Sequence, residues 1–333
     1  EDGIRDLVRS RGLGDVYKRQ PGDLVHALPT PDRDFYDFVR LVPQVSTRIG
    51  FPSGLSGGGV GFRFNSFLIN GVPERTAFAN ATPALGGGKS LPLAAVKEYQ
   101  VLLAPYDVRY GDFAGALVNT ITERGSNEWR SSSYVYGRSD ALARGSGAAP
   151  TTYRTWQYGF SLAGPVVHDR LHFLIAPELQ RYTEPAAGPY LGQPASRTPL
   201  LPVSPDVLAS ADGILRAHGL EPGSAGPVEN RRPLANVYAR LDLAIPERAS
   251  RVSLWHNSTA NTAESFSRAD PERFPLASYQ LRQDLSSHLT ALHVHTDLAR
   301  RGGGHNELRV AFKSEAAVGT SDVEQPIVEV LVP

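Results

Sequence analysis

Three short segments carry residues arranged as in known kinds of chemical site, and the first centres on Ser56. The segment Gly54-Leu55-Ser56-Gly57-Gly58 fits the pattern G-x-S-x-G. That pattern presents a nucleophilic serine on a sharp turn between a strand and a helix. Here Gly59 and Gly61 follow at once, and glycines so close together oppose a helix because glycine loses the most entropy on ordering. We therefore predict no catalytic role for Ser56.

The segment Gly86-Gly87-Gly88-Lys89-Ser90 ends like a phosphate-binding loop. In such a loop the first required glycine would stand at Pro83, and a hydrophobic strand would lead into it. Neither condition is met, so the segment is predicted to be a flexible loop without a bound nucleotide or other cofactor.

Histidines mark the third segment. His293 and His295 fall on one face of a predicted strand, and His288 falls on the other. Two histidines two residues apart in a strand could contribute to a zinc site. No third ligand of the right kind is close in sequence, so a polar strand face is the better prediction. The sequence thus predicts no catalytic set, no metal and no cofactor.

Composition excludes several classes of protein. The 333 residues include 34 basic and 34 acidic side chains, a balance that argues against a nucleic-acid partner. Cysteine is absent, which excludes disulfides and thiolate metal sites. No run of about 18 apolar residues could form a membrane-spanning helix. Methionine is absent too, and the chain starts Glu-Asp-Gly-Ile, so we expect a fragment truncated at both ends.

Residues 1–23 are expected to be a non-native segment or a linker. The highly charged run Glu1–Gln20 resembles translated adapter sequence and is left out of the predicted fold. After it, a short helix is predicted within Leu28–Val45, ending at Pro43. The glycine-dense stretch Gly50–Gly61 is predicted to be a loop, and Phe64–Val72 a strand that closes in an Asn70-Gly71 turn.

The stretch from Leu91 to Tyr136 is where the pattern changes. It is predicted to hold a short helical run, Leu91–Tyr99, then a strand, Gln100–Ala104. The run Ala114–Thr122 is small, β-branched and unbroken, as in a strand buried on both faces. Glu123–Asn127 is a polar turn. From Trp129 onward, apolar and polar residues alternate with a period of two, which predicts long strands with one apolar and one polar face.

The alternation continues to the end of the chain. It is visible in Trp156–Ala163, Leu171–Gln180, Asn236–Leu243, Arg251–Asn257, Leu285–Thr296 and Glu307–Lys313. Short turns are predicted at Pro165–Asp169 and Pro246–Ala249, and long loops at Glu184–Pro233 and Asn261–Ala277. The first long loop is predicted to contain a helix from Ser204 to Ala217, ended by Gly219.

A soluble sandwich and a membrane barrel both give such strands. Three features favour the barrel: strands of about ten residues, which suit a tilted crossing of the hydrocarbon layer; short turns alternating with long loops; and aromatic residues near the strand ends. Trp129, Tyr136, Trp156 and Trp255 are examples of the last feature.

Several short motifs occur in order across the change of pattern. They are Tyr106–Gly111, Gly115, Val118–Thr122 and Gly125–Glu128. This series resembles the end of the plug and the first barrel strand of TonB-dependent outer-membrane transporters, in the subgroup with a carboxypeptidase-regulatory-like domain ahead of the plug. The residues that match are Tyr106, Arg109, Tyr110, Gly111, Gly115, Asn119, Thr122, Gly125 and Asn127. The chain departs from the subgroup at Asp112 and Ala116.

The resemblance implies a small α+β plug domain at residues 24–125, followed at residues 126–333 by about eight of the roughly 22 strands of a transmembrane antiparallel β-barrel. It implies energy-coupled uptake of a scarce solute across the bacterial outer membrane, without covalent chemistry. The implied partners are membrane lipid, an unknown small solute, peptide or glycan, and the inner-membrane TonB complex, which would act on a segment ahead of the plug.

The resemblance also suggests a role for charges near the plug's end. Some of them would pair with charges on the barrel's inner wall, although ordinary solvated loop charge is the favoured explanation. They are Lys97, Asp107, Arg109, Asp112, Glu123, Arg124 and Glu128. Two other functions stay open from the residues: a soluble β-rich carbohydrate- or ligand-binding surface protein, and a serine hydrolase that uses Ser56.

Overall fold

The chain is divided into two regions of opposite character. The computed structural model describes residues 16–21, 35–39, 41–43, 45–48, 54–57, 59–60, 64–74, 91–103, 115–142, 153–195, 199–270, 273–298 and 303–321. The described residues from Val16 to Thr122 form what we call the N-terminal unit. Those from Arg130 to Ser321 form what we call the long-strand sheet, together with its loops.

The N-terminal unit contains a helix and two small sheets. The helix is α1 (Phe35–Val39), and the strands are β1 (Val16–Pro21), β2 (Val45–Arg48), β3 (Gly54–Gly57), β4 (Ser66–Ile69), β5 (Val72–Pro73), β6 (Val96–Leu103) and β7 (Ala116–Thr122). Five strands lie in the order β1-β6-β7-β4-β5, and β2 pairs with β3. All pairs are antiparallel except β4 with β7.

The core of this unit is apolar, as in a water-soluble protein. Val101 on β6 and Val118 on β7 are almost completely buried and pack with Val39 of the helix. Phe38 stacks on Tyr99 with ring centroids 5.6 Å apart. The predicted buried strand before Glu123 is therefore confirmed, although it starts at Ala116 rather than at residue 114.

Three predictions for this region are wrong in detail. Residues 16–20, left out of the predicted fold, pair with β6 as part of β1. The helical run from Leu91 shrinks to a single 3-10 turn, Leu93–Ala95, because β6 is a central strand paired on both edges and that pairing outweighs local propensity. The glycine-dense loop contains strand β3, where a Cβ on Gly57 would overlap Ala116 of β7, so the glycine permits close packing.

The long-strand sheet runs from β8 to β15 and is antiparallel throughout. Its strands are β8 (Arg130–Ser139), β9 (Arg154–Val167), β10 (Leu171–Pro185), β11 (Glu229–Arg231), β12 (Leu234–Ile245), β13 (Ser250–Ser265), β14 (Leu281–Asp297) and β15 (His305–Ser321). The order is β15-β14-β13-β12-β10-β9-β8, and the short β11 pairs with the end of β10. Among the described residues, β8 and β15 each pair along one edge, so the sheet is not closed.

Short and long connections lie at opposite ends of this sheet. The turns after β9 and β12 are short, and Asp169 and Ala249 take the left-handed backbone conformation there. The connections after β10 and β13 are long. The first contains the predicted helix, α2 (Pro205–Ala217), capped by the Ser204 side chain. The second predicted loop is wrong at its start, because β13 continues to Ser265.

The two faces of the long-strand sheet reverse the usual arrangement of a soluble protein. On β12, Val237, Leu241 and Leu243 are exposed, whereas Asn236, Arg240 and Asp242 are buried. Exposed large apolar side chains continue around the same outer face; they include Trp156, Phe160, Ile175, Leu179, Leu254, Leu308, Val310 and Phe312. The inner face is covered by the N-terminal unit and carries the buried polar residues.

The helices are short. In the part of the chain that the structure describes, none has both the length and the apolarity needed to cross a membrane.

Candidate functional site

The β4–β5 turn brings the N-terminal unit to the inner face of the long-strand sheet. Asn70 and Gly71 form this turn with φ values of 51° and 79°, as a two-residue Asn-Gly hairpin requires. The Asn70 side chain binds the end of β7, because its Oδ1 accepts a hydrogen bond from the Thr122 N–H at 3.0 Å. Asn119 Oδ1 accepts from the Gly71 N–H at 2.9 Å. The turn is thus fixed against β7 by side-chain amides.

A buried ion pair faces this turn from β12. Arg240 donates from Nε and Nη2 to the two carboxylate oxygens of Asp242, at 2.7 and 2.8 Å. Ser253 Oγ donates to the same carboxylate at 2.5 Å. Arg240 and Asp242 are 4% and 5% exposed, and such a pair is tolerated only when its geometry is bidentate and its remaining groups are bonded. Their spacing of two residues puts both on the inner face.

Thr122 joins the two regions. Its Oγ1 accepts from Arg240 Nη1 at 2.9 Å and lies 2.8 Å from the Tyr238 hydroxyl. Asn70 Nδ2 donates to the Tyr238 hydroxyl at 3.3 Å and to Thr122 Oγ1 at 3.0 Å. Tyr238 is fully buried beside Trp255, with ring centroids 6.1 Å apart. The contact is therefore a compact polar network backed by aromatic rings.

A cavity of about 710 Å³ opens beside this network at the short-turn end of the sheet. Four arginines line it: Arg124, Arg240, Arg251 and Arg309. Arg309 pairs with Glu307 and lies 3.5 Å from the Gly71 carbonyl oxygen. Burial is the largest cause that lowers the pKa of Arg124, and the nearby positive charge of Arg240 lowers it further. The cavity thus has a predominantly basic wall.

The segment between β7 and β8 is fastened to the same end. Asn127 Nδ2 donates to Asp169 Oδ1 at 2.6 Å, and Asn127 Oδ1 accepts from the Asp169 N–H at 2.8 Å. His172 Nε2 lies 2.8 Å from the same amide oxygen. A Cβ on Gly125 would overlap the backbone of Phe173, so this position has room only for glycine. The chain therefore enters β8 along a defined path.

The structure describes five of the nine predicted motif residues. Tyr106, Arg109, Tyr110 and Gly111 lie outside the described residues, as do Asp107 and Asp112. Gly115 opens β7, and the Ala116 N–H beside it bonds to Asn65 Oδ1 at 2.8 Å. Asn119 holds the β4–β5 turn, whereas Thr122, Gly125 and Asn127 contact the long-strand sheet directly. Their roles in the working protein stay predictions.

The motifs in the sequence do not mark the residues at the centre of the network as site residues. They are Asn70, Tyr238, Arg240, Asp242 and Ser253. The available signals were the Asn-Gly turn and the polar face of β12. Among the charges predicted to pair across this contact, Arg124 interacts electrostatically with Arg240 and Asp242 of the long-strand sheet. Arg240 itself donates to a neutral hydroxyl, Thr122 Oγ1. The predicted charge pairing stays a prediction.

Of the other candidate sites, the structure describes Ser56 and the histidine pair, whereas the segment Gly86–Ser90 lies outside the described residues. Ser56 lies in β3 and donates to the Val60 carbonyl oxygen at 2.9 Å. Gly59 follows with a φ of 81°, in a turn rather than in the helix that a nucleophile elbow needs. His293 and His295 line the basic cavity. No group of three His, Cys, Asp or Glu side chains in the described ranges could hold a metal ion.

Several solved structures of known proteins have a fold similar to that of this chain. No family model matches the chain, and no curated protein matches it. The outer membrane transporter YddB from Escherichia coli aligns with a TM-score of 0.62 and 15% identity, over 92% of this chain and 40% of that one. The siderophore receptor PirA from Acinetobacter baumannii gives a TM-score of 0.52 and 18% identity, over 90% and 44%.

A third structure, the ferripyoverdine receptor of the Pseudomonas aeruginosa outer membrane bound to ferripyoverdine, gives a TM-score of 0.54 and 12% identity, over 94% of this chain and 44% of that one. The chain thus spans less than half the length of each of these three structures. The neighbours are TonB-dependent outer-membrane receptors and transporters, so the predicted resemblance is confirmed at the level of the fold. The chain has the fold of the TonB-dependent outer-membrane receptors and transporters over its N-terminal unit and its long-strand sheet.

Proposed function

We propose that this chain is part of a transporter that takes up a scarce solute across the bacterial outer membrane by coupling to the TonB complex. In this proposal residues 24–125 are the plug and residues 126–333 are the first part of the barrel wall. One observation carries it. The long-strand sheet turns its apolar side chains outward and buries an arginine–aspartate pair on the side that faces the N-terminal unit.

That reversal is unfavourable in water and favourable in a bilayer. Strands of a transmembrane barrel alternate apolar side chains toward lipid with polar side chains toward the lumen. Leu241, Val310 and Phe312 would then face hydrocarbon, while Arg240 and Asp242 face a plugged interior. The open edges at β8 and β15 require further strands in lipid, since unpaired backbone groups cannot be hydrated there. The structural neighbours are more than twice as long as this chain.

The polar part of the contact between the two regions suits a plug that shifts without unfolding; beside it lies an apolar cluster that includes Leu93, Ala95, Leu174 and Ala176. Thr122 and Asn70 meet Arg240 and Tyr238 through hydrogen bonds. Each such bond contributes about 0.5–3 kcal/mol net, because water can replace either partner. A pulling force transmitted from the TonB complex through a segment ahead of the plug could therefore break these contacts in steps. The small apolar core of the N-terminal unit would stay intact.

The cargo is proposed only as a class. Two neighbours carry siderophore or ferripyoverdine in their names. An iron chelate is thus one candidate beside a peptide, a glycan or another small solute. The reaction needs no covalent step, and we propose no enzymatic activity.

Expression of the full-length gene in a Gram-negative host tests the proposal. We expect the product in the outer-membrane fraction, extracted only by detergent, and solute uptake that is lost when the inner-membrane TonB complex is deleted. A product that partitions into aqueous buffer without detergent would contradict the proposal and favour the soluble β-rich carbohydrate- or ligand-binding alternative.

Labelling with an active-site-directed phosphonate separates the transporter from a serine hydrolase. We expect no labelling, because Ser56 lacks a strand–turn–helix setting. The matched control is Ser56→Ala: labelling that this variant abolishes would establish a reactive Ser56 and overturn the non-enzyme prediction.

A further inference from the structure

Two long loops meet at the end of the long-strand sheet opposite the basic cavity. We call residues Ala186–Pro233, between β10 and β12, loop A, and residues Phe266–Gln280, between β13 and β14, loop B. They are separated in sequence by the whole of β12 and β13. Nevertheless a parallel bridge joins Ala187 of loop A to Ser267 of loop B.

Arg268 of loop B is the centre of this contact. It is 3% exposed, and its guanidinium donates to carbonyl oxygens of both loops. Nη1 bonds to Gly226 at 2.7 Å and Nη2 to Ser224 at 3.0 Å, both in loop A. Nε bonds to Pro275 of loop B at 2.8 Å. One side chain therefore bonds to three carbonyl oxygens in two backbone segments, one from each loop.

Aromatic rings complete the enclosure of the charge. The guanidinium carbon lies 4.7 Å from the centroid of the Phe266 ring and 4.8 Å from that of Phe274. Ring faces and carbonyl dipoles are the groups that favour a buried cation where a carboxylate is missing. Burial lowers the pKa of Arg268 to about 10, which still leaves it charged at neutral pH.

Further hydrogen bonds run between the loops around Arg268. The Arg268 N–H donates to the Ala187 carbonyl oxygen at 2.7 Å, and the Ala277 N–H to that of Ser224 at 3.0 Å. Ser278 Oγ donates to the Pro222 carbonyl oxygen at 2.7 Å. Asn230 Nδ2 of loop A donates to the Phe266 carbonyl oxygen at 3.0 Å.

Gly188 permits a close approach between the backbones of loop A and loop B. Gly188 has a φ of 97°, and a Cβ there would overlap the backbone of Arg268. The loops are therefore packed backbone against backbone at this point, a contact that any larger residue would prevent.

We propose that loops A and B form one preassembled platform, fastened by Arg268, which moves as a single body rather than as two independent flaps. Arg268 is then a positioning residue for the outward, solute-receiving surface, an assignment that rests on the proposed transport function. The planar fork of arginine is needed because three carbonyl oxygens are bonded in fixed directions. The compact ammonium of lysine cannot reproduce that arrangement.

This chain contains no cysteine, so within it each introduced cysteine is a unique site for a spin label. Glu221→Cys in loop A and Ala269→Cys in loop B would be labelled in the full-length protein in detergent micelles, and the distance distribution measured by pulsed EPR. We expect a narrow distribution in the otherwise unaltered protein. Arg268→Met should broaden it roughly twofold and accelerate amide hydrogen exchange in both loops by about tenfold or more, since charge-assisted hydrogen bonds are lost.

Two variants serve as controls. Arg231→Met removes an exposed loop A arginine whose ion pair with Glu229 is 3.6 Å long, and it should leave the distribution unchanged. Arg268→Lys keeps the charge and should broaden the distribution as well, though less than Arg268→Met. If Arg268→Met fails to fold, Arg268→Lys decides the question.

An unchanged distance distribution in a folded Arg268 variant would overturn the proposal. So would broadening of equal size in Arg231→Met. The measurement needs no solute, so it is independent of the uptake assay. A fastened platform in a protein that transports nothing would contradict the transport function alone, whereas normal TonB-dependent uptake with freely moving loops would contradict the platform alone.

Discussion

The N-terminal unit and the long-strand sheet place their apolar strand residues in opposite surroundings. In the N-terminal unit Val101 and Val118 are buried and Lys97 is exposed. In the long-strand sheet Leu241 is 43% exposed, while Arg240 is buried. A period of two separates the side chains of a strand into two faces, but it does not say which face is inside. The surrounding medium and the partner that covers each face decide that.

The two regions are joined by two kinds of contact. One is apolar, because a single buried cluster includes Leu93 and Ala95 of the N-terminal unit and Leu174 and Ala176 of the long-strand sheet. Where they meet at the short-turn end, the contact is the network of Asn70, Thr122, Tyr238 and Arg240. An interface built from hydrogen bonds can exchange protein partners for water at modest cost. The apolar part of the interface would have to expose hydrocarbon if the two regions separated.

The largest effect is expected from a charge inside the N-terminal unit. Val118→Asp would bury an unpaired carboxylate between β4 and β6 and should destabilise the unit by about 5 kcal/mol. Urea denaturation followed by limited proteolysis of this region measures the change. Lys97→Asp, on the exposed side of β6, is the control and should change stability little. Equal effects of the two variants would contradict an apolar interior here.

The second-largest loss of stability is expected from breaking the ion pair between Arg240 and Asp242. Arg240→Met leaves Asp242 buried without its cation and removes a bond to Thr122, so we expect a loss of about 3–5 kcal/mol. The double variant Arg240→Met with Asp242→Leu should recover most of the loss, because no unpaired charge remains. Denaturant midpoints of the two variants test this. A double variant as unstable as the single one would argue against a buried pair.

The outer face is tested with a charge facing lipid. Leu241→Arg should destabilise the full-length protein in phospholipid vesicles by about 2–4 kcal/mol, as expected for a basic side chain near the middle of the hydrocarbon layer. Leu241→Ile, which keeps an apolar side chain, is the control. An Arg variant as stable as the Ile variant would indicate that this face meets water and would remove the contrast between the two regions.

A smaller effect concerns the packing of an aromatic ring on a glycine within the sheet. Tyr134 lies across Gly159 and donates to Glu178 on the third strand. Gly159→Ala would displace the ring and should cost about 1–3 kcal/mol. Gly319→Ala is the matched control, since nothing lies within 4 Å of its Cβ position. Thermal unfolding of both variants measures the difference, and equal midpoints would show that the ring adapts freely.

The smallest effect concerns pH and the short-turn end. Hydrogen bonds from His168 and Asn127 lower the pKa of Asp169 below its ordinary value of 3.8. A lowered carboxyl pKa stabilises the fold above the unfolded value, and the contribution disappears as the pH falls through the folded value. Asp169→Asn keeps the left-handed backbone favourable. Its melting temperature should therefore lie slightly below that of the unaltered protein at pH 7, and the difference should shrink as the pH falls below 3.8 and through the folded value. A pH-independent difference would contradict this.

Local patterns predicted much of the fold because they are set by neighbours in sequence. The Asn70-Gly71 turn and the helix capped by Ser204 follow from backbone preferences and capping chemistry. The long strands follow from their alternation. Strand β3 pairs with the nearby β2 and was missed because its glycines are typical of loops. Strand β1 was missed because its pairing partner, β6, is distant in the chain. The start of β6 was missed for the same reason.

The candidate site was likewise predictable from the sequence only in part. Thr122, Gly125 and Asn127 were singled out because short motifs carry them. Their partners Arg240 and Asp169 lie 118 and 42 residues further along, and sequence alone gives no reason to place them together. The alternation of β12 did place Tyr238, Arg240 and Asp242 on one face, so the missing information was what covers that face.

The sequence by itself determined the strand periods, the tight turns, the capped helix and the separation into two faces, because these depend on interactions within a few residues or on the geometry of a single strand. Only the tertiary structure decided that the polar face of the long-strand sheet is the buried one and that Thr122 meets Arg240. It also decided that Arg268 holds two loops together. These arrangements arise because charged and polar groups are buried only where distant segments supply matching hydrogen-bond partners.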